Sequence, residues 1–208
     1  RTNTDSVGCE SIARGLMTVE YKPHSKGFYH AYSLKSLTRL RDRLIRQRSF
    51  YLVKITNVLD HTFPEFKPFF NERLSKTALY LLENYGTAAR MARMNSASYD
   101  KLRCVSRGKF SIQQFLRLKE LTTNTVGVNN SIFDLELNSL LTLHKSLSNE
   151  INILESEIIK LIEEVHPHYM SIPGIGPISA AVIYAEYGDI SNFSNPGQML
   201  AFAGIEPG

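Results

Sequence analysis

Tryptophan is absent from the 208 residues, and cysteine occurs only at Cys9 and Cys104. Two thiols this far apart, without Cys-x-x-Cys spacing, make neither a disulfide framework nor a cysteine zinc site. A reducing cytoplasm is therefore the expected setting. Missing too is any apolar run of the roughly 18 to 20 residues that a membrane span needs, and the N-terminus has no signal-peptide pattern. Hydrophobic residues at 43% and charged residues at 21% are ordinary globular usage and exclude a mainly disordered chain. The chain opens on Arg1 rather than Met and stops at Pro207-Gly208, a turn-forming pair, so truncation at both ends is expected.

Lys and Arg are also missing from residues 171–208, which carry 3 acids. The formal charge of +4 thus hides a segregation. Lys and Arg outnumber Asp and Glu by 7 to 2 in residues 31–60 and by 11 to 5 in residues 61–130, then fall behind by 2 to 7 in residues 131–170. Electrostatic footprints are local, so a polyanion is expected on the first two stretches.

Periodicity predicts a mainly α fold. A short helix is expected near residues 11–17, followed by loop to residue 30. From 31 to 61, Leu34, Leu37, Leu40, Leu44, Tyr51, Ile55 and Val58 recur at helical spacing, and Thr62-Phe63-Pro64 ends the pattern. Shorter helices are expected at about 72–84, 87–94, 97–105 and 110–122, then a turn over 122–130. Phe133, Leu137, Leu140, His144, Leu147, Ile151, Leu154, Ile158, Leu161 and Val165 next alternate four- and three-residue steps, the pattern of a coiled-coil seam. A basic and an acidic long helix invite antiparallel pairing within the chain or between two chains, which makes a homo-oligomer expected. His144 reads as a polar seam residue setting register, with a pH switch as the alternative.

Five arginines, Arg39, Arg41, Arg43, Arg46 and Arg48, fall on the first long helix. Arg39, Arg43 and Arg46 share one face, and Arg41 and Arg48 lie one heptad apart. A stripe that follows phosphates is one reading, a solvated or salt-bridged face the other. Arg90, Arg93, Lys101, Arg103, Arg107 and Lys109 add to the basic side, while Tyr51, Tyr80, Tyr85 and Tyr99 read as base-stacking or as core. Further on, Pro173-Gly174-Ile175-Gly176 predicts a tight turn into a helix opening at Pro177 and ending at Gly188. Ala181 and Ala185 would permit close helix approach, with Ile178, Val182 and Ile183 packing beside them. Asn195 or Ser194 caps a second helix from Pro196, and Gly204 lies past its end. This is a helix-hairpin-helix grammar, in which Gly174 and Gly176 expose backbone N–H groups to phosphate or simply make the turn. His166 and His168 lack a third ligand and make a poor zinc site.

The runs Pro-Gly-Ile-Gly-Pro, Tyr-Gly-Asp-Ile-Ser-Asn-Phe and Phe-Ala-Gly-Ile-Glu-Pro in residues 171–208 resemble the C-terminal domain of the insertion-sequence one-ten family of transposases. Leu34-Lys35-Ser36-Leu37-Thr38-Arg39 and Phe63-Pro64-Glu65-Phe66 are similar to that family's middle region. The resemblance implies three segments: residues 1–30 as the tail of a RuvC-like domain, 31–170 as a helical coiled-coil middle, and 171–208 as the start of a C-terminal transposase domain. It implies DNA and a guide RNA as partners, and catalysis by a Mg²⁺ site of Asp-Glu-Asp-Asp type together with a nucleophilic serine. Asp5 matches one metal carboxylate of that site, whereas Gly8 stands where another is expected and cannot bind metal. The serine is expected beyond Gly208, and no Ser-Gly dipeptide of the expected kind occurs. The reading is a transposase, truncated or decayed and inactive alone, with no Mg²⁺ bound by this chain by itself. Arg39, Arg43, Arg46, Arg48, Gly174 and Gly176 are its expected nucleic-acid contacts. Alternatives are a helix-hairpin-helix DNA-binding protein or a coiled-coil interaction protein.

Overall fold

The computed structural model describes residues 9, 12–15, 17, 26–71 and 74–205. Among them every regular element is helical and no strand occurs. In chain order these are α1 (Lys26–Thr62), α2 (Phe66–Phe69), α3 (Lys76–Tyr85), α4 (Ala88–Ala92), α5 (Ser96–Val105), α6 (Ile112–Thr123), α7 (Ser131–Val165), α8 (Pro177–Tyr187) and α9 (Pro196–Phe202). Single 3-10 turns at His168–Ser171 and Ile190–Asn192 flank α8. Residues 9, 12–15 and 17 are helical, as expected near 11–17. One expectation is corrected here: residues 26–30 are not loop but the first turn and more of α1. Gly27 there costs roughly 1 kcal/mol against Ala, too little to stop a helix already propagating from a long amphipathic run. No helix of the described residues is long and apolar enough to cross a membrane.

The short helices begin where side chains accept the first orphan N–H groups. Ser75 accepts from Ala78, Thr87 from Arg90, Asn95 from Ser98 and Ser111 from Gln114. At Asn95 and Ser111 the third helical residue returns a bond to the cap, closing a capping box.

The chain forms two compact units, one of Arg39–Glu157 and one of the residues up to Thr38 with those from Ile158 onward. Within the first, Ile55, Val58, Leu59, Phe63, Phe66, Leu81, Leu82, Met91, Leu102, Phe115, Leu118, Leu137 and Leu141 form one continuous core. The two long helices pack together in it and run antiparallel. Arg41 pairs with Glu155, Arg48 acts electrostatically on His144, and His61 stacks on Phe133 at 5.9 Å, so residue numbers rise on α1 as they fall on α7. All ten seam positions expected on the second long helix are buried or half-buried. On α1 one expectation fails: Leu40 is 37% exposed, because the inward face passes through Leu34, Thr38 and Arg41 instead. Thr38 tolerates burial by donating its hydroxyl to the Leu34 carbonyl at 2.8 Å. Tyr80, Tyr85 and Tyr99 are half-buried and pack against the core, as the structural one of their two expected roles requires.

In the second unit, Leu34, Ile158 and Ile162 pack with Ala180, Ala181, Tyr184 and Ala185 of α8. The alanines bring α8 close, as expected of Ala181 and Ala185. Val182 is 44% exposed, a correction, since the inward face is centred on Ala181, Tyr184 and Ala185 and Val182 falls outside that arc.

Candidate nucleic-acid interface

The five arginines divide by helical phase. Residues 39, 43 and 46 share a 3.6-residue face, and the structure exposes all three. Arg41 and Arg48 point the opposite way and are half-buried. Arg41 is committed within the fold, its guanidinium donating to Glu155 Oε1 at 2.7 Å from Nε and 2.6 Å from Nη2. Arg48 lies close enough to His144 to disfavour its protonation. The outward stripe therefore holds three of the four expected arginine contacts and leaves Arg48 on the other face. Arg46 meets Asp42 of the same helix at 2.7 Å, an exposed i,i+4 pair of a few tenths of a kcal/mol that a phosphate can displace. The same face continues into Phe50 and Val53, both more than half exposed, with Lys54 Nζ 5.3 Å from the Phe50 ring centroid. Sequence reasoning missed this apolar extension, although its spacing from Arg46 was there to be counted.

The glycine turn is built as its residues require. Gly174 has φ +95°, a backbone region closed to side chains, and Ile175 N–H closes the turn on the Ile172 carbonyl at 3.1 Å. Gly176 caps α8 without a side chain, so the N–H groups of Ile178 and Ser179 receive no side-chain cap. A side-chain carbon at Gly174 or Gly176 would meet nothing within 4 Å, so the surface beside the turn is open. Asn195 caps α9 by accepting from Gln198, and Gly204 adopts φ +75° past its end, both as expected.

Within the same unit lies a cleft of about 460 Å³ whose walls include His166, His168, Tyr169, Tyr184, Asp189 and Ser191. Tyr169 donates its hydroxyl to the Ala180 carbonyl at 3.3 Å. Burial, with the neighbouring Tyr184 and Asp189, pushes its pKa up to about 12, so it stays a donor. Asp189 is held below the usual carboxylate range by hydrogen bonds from Ser191, with His168 helping, and caps the 3-10 turn that follows. The cleft thus pairs an ionised carboxylate with two protonated phenols, suited to a hydrogen-bonding ligand. Tyr169, Tyr184 and Asp189 went unnoticed in the sequence because only the fold gathers them.

Asp5, the expected metal carboxylate, lies outside the described residues. Among the described residues no group of three His, Cys, Asp or Glu side chains is placed to hold a metal ion. Hard cations need several oxygen ligands, and the described residues gather no such set.

No curated protein matches the chain. Residues 167–208, which hold the glycine turn, α8, Asp189 and α9, match the model of the family described as Transposase IS116/IS110/IS902 family. Over that C-terminal segment this chain is therefore similar to the IS116/IS110/IS902 transposases, as its Pro-Gly-Ile-Gly-Pro and Phe-Ala-Gly-Ile-Glu-Pro runs led one to expect.

Proposed function

We propose that this chain is the helical, nucleic-acid-holding part of a DNA transposase and that alone it does not cut or join strands. The observation that carries the reading is the family match over residues 167–208. In this reading residues 1–30 are the tail of a RuvC-like domain with Asp5 as a catalytic carboxylate and metal ligand, 31–170 a coiled-coil middle that joins two copies, and 171–208 the start of the transposase domain. DNA lies along Arg39, Arg43 and Arg46, with Arg48 a lesser contributor from the opposite face. The N–H groups around Gly174 and Gly176 hold a phosphate, where the positive end of α8 favours negative charge. A guide RNA is the second expected partner.

The test is binding to duplex DNA and to structured RNA across a salt series. Each phosphate contact contributes about 0.9 to the slope of log affinity against log salt on B-form DNA. Replacing Arg39, Arg43 and Arg46 together by Ala lowers that slope by about 2 to 3. Unchanged binding in this variant, or no binding at low salt in the parent, defeats the reading. A triple variant that loses self-association while keeping its nucleic-acid affinity supports a coiled-coil interaction protein instead.

A further inference from the structure

We propose that α5, α6 and the turn between them form a duplex-reading module in which α6 enters the major groove of DNA. This rests on the nucleic-acid reading above but uses a different surface. Residues 88–123 carry eight Lys and Arg against two acids, a basic excess that equals that of α1. Arg103, Arg107, Lys109 and Arg117 are exposed, and none of them makes an ion pair among the described residues. This contrasts with α1, where Arg41 and Arg46 are engaged by Glu155 and Asp42.

The turn that presents these cations is closed by hydrogen bonds. Gly108 N–H bonds the Arg103 carbonyl at 2.8 Å, Arg107 N–H the Cys104 carbonyl at 3.0 Å, and Phe110 N–H the Ser106 hydroxyl at 3.0 Å. Phe110 is buried and stacks near Phe70, pinning the turn to the core. Arg107 itself sits at φ +53°, a conformation that disfavours side-chain-bearing residues and that a turn selected only for stability would give to Gly or Asn. The effect is to hold Arg107 and Lys109 outward, just ahead of the N-terminus of α6.

Helix α6 then offers the chemistry that reads bases. Phe115, Leu118 and Thr122 bury its inner face, while Gln113, Leu116 and Arg117 stand on the outer one, with Leu116 60% exposed. Gln pairs with adenine and Arg with guanine by two hydrogen bonds, and an apolar side chain meets the thymine methyl. Gln113 and Arg117 lie one turn apart, about 6 Å along the axis, or roughly two base-pair steps. A B-form major groove admits such a helix, whereas the deep, narrow groove of duplex RNA does not. Duplex DNA is therefore the ligand, contacted through phosphates by Arg103, Arg107 and Lys109 and through base edges by Gln113 and Arg117.

The experiment is selection of the 208-residue chain against a randomised DNA duplex library, followed by salt-dependent binding of variants whose helicity matches the parent by circular dichroism. The parent is expected to enrich a short sequence. Arg117→Lys keeps the charge but loses the fork, so preference at one base position drops about tenfold while the salt slope is unchanged. Arg107→Ala with Lys109→Ala weakens all duplexes alike and lowers the slope by about 2. If the double variant binds duplex like the parent while loss of Arg39, Arg43 and Arg46 weakens it, this module is overturned and the α1 surface stands. A parent that enriches no sequence, an Arg117→Lys variant with unaltered preference, or tighter binding to duplex RNA than to DNA also overturns it. Absence of any nucleic-acid binding removes both readings.

Discussion

His144 sits in the seam of α7 with 6% of its surface exposed, and its Nδ1 atom has no hydrogen-bond partner. Burial, and then the charge of Arg48, push its imidazole below the ordinary range, opposed more weakly by Glu83. The folded chain therefore holds the neutral form, whereas the unfolded chain takes up a proton near pH 6.5. Stability from this residue is present above about pH 6.5 and is lost progressively as pH falls below it. Replacing His144→Leu removes the orphan nitrogen and restores an apolar seam. The expected outcome, read by urea denaturation at pH 7.5 and pH 5.5, is a gain of about 1 kcal/mol at the lower pH and a flatter pH profile. A variant that keeps the parent's pH dependence would place the titrating group elsewhere. The spacing of the seam announced this residue as polar; only the fold showed that nothing satisfies it.

At the scale of elements, the joint between α1 and the loop before α7 is held by one close approach and one carboxylate. Val128 N–H bonds the His61 carbonyl at 2.8 Å, and a side-chain carbon on Gly127 would overlap the Thr62 carbonyl. Glu65 accepts from the Thr125 hydroxyl at 2.7 Å and from Val126 N–H at 3.0 Å. Burial would raise its pKa, but these bonds outweigh it and hold the carboxyl below its usual range. The loop is thus strapped across the end of α1. Gly127→Ala must move backbone rather than a flexible side chain, and a loss of about 2 to 3 kcal/mol is expected from thermal unfolding. A change under about 0.5 kcal/mol would show that the loop is free to shift. The Thr, Asn and Gly content of 122–130 marked a turn, yet it gave no hint that Gly127 lies against residues of α1.

For the whole molecule, the arrangement is that of a scaffold in which charge is sorted by helix face and unit. Residues 171–208 have no Lys or Arg, whereas residues 31–130 carry 18 against 7 acids, so the basic charge lies apart in sequence from the amide-rich turn at Gly174 and Gly176. Among the described residues no group of carboxylates is placed to hold a metal ion, and Gly8, at one expected ligand position, has no side chain to offer. Incubated with its cognate DNA and Mg²⁺, the 208-residue chain is expected to bind but to leave no nicked or joined product on a denaturing gel. Cleavage that disappears in an Asp5→Asn variant would instead show a working metal site and defeat the proposal that the chain is inactive by itself.

Much of this was legible in the sequence because helices are local objects. The 3.6-residue period, the Ser, Thr and Asn caps, the prolines after Thr62 and Gly176 and the glycines at 174, 188 and 204 each act within a few residues of themselves. They determined a mainly α chain with two long helices and a capped C-terminal pair. The grouping of Arg39 with Arg43 and Arg46, and of Arg41 with Arg48, was equally local. Which group faces outward was not, because it depends on Glu155, 114 residues from Arg41, and on the seam that brings α7 against α1. The cleft formed by Tyr169, Tyr184 and Asp189, the strap at Gly127 and the fate of each arginine belong to tertiary structure alone. They arise where distant segments pack, and packing is settled by the shape and burial of the whole core rather than by any stretch of the chain.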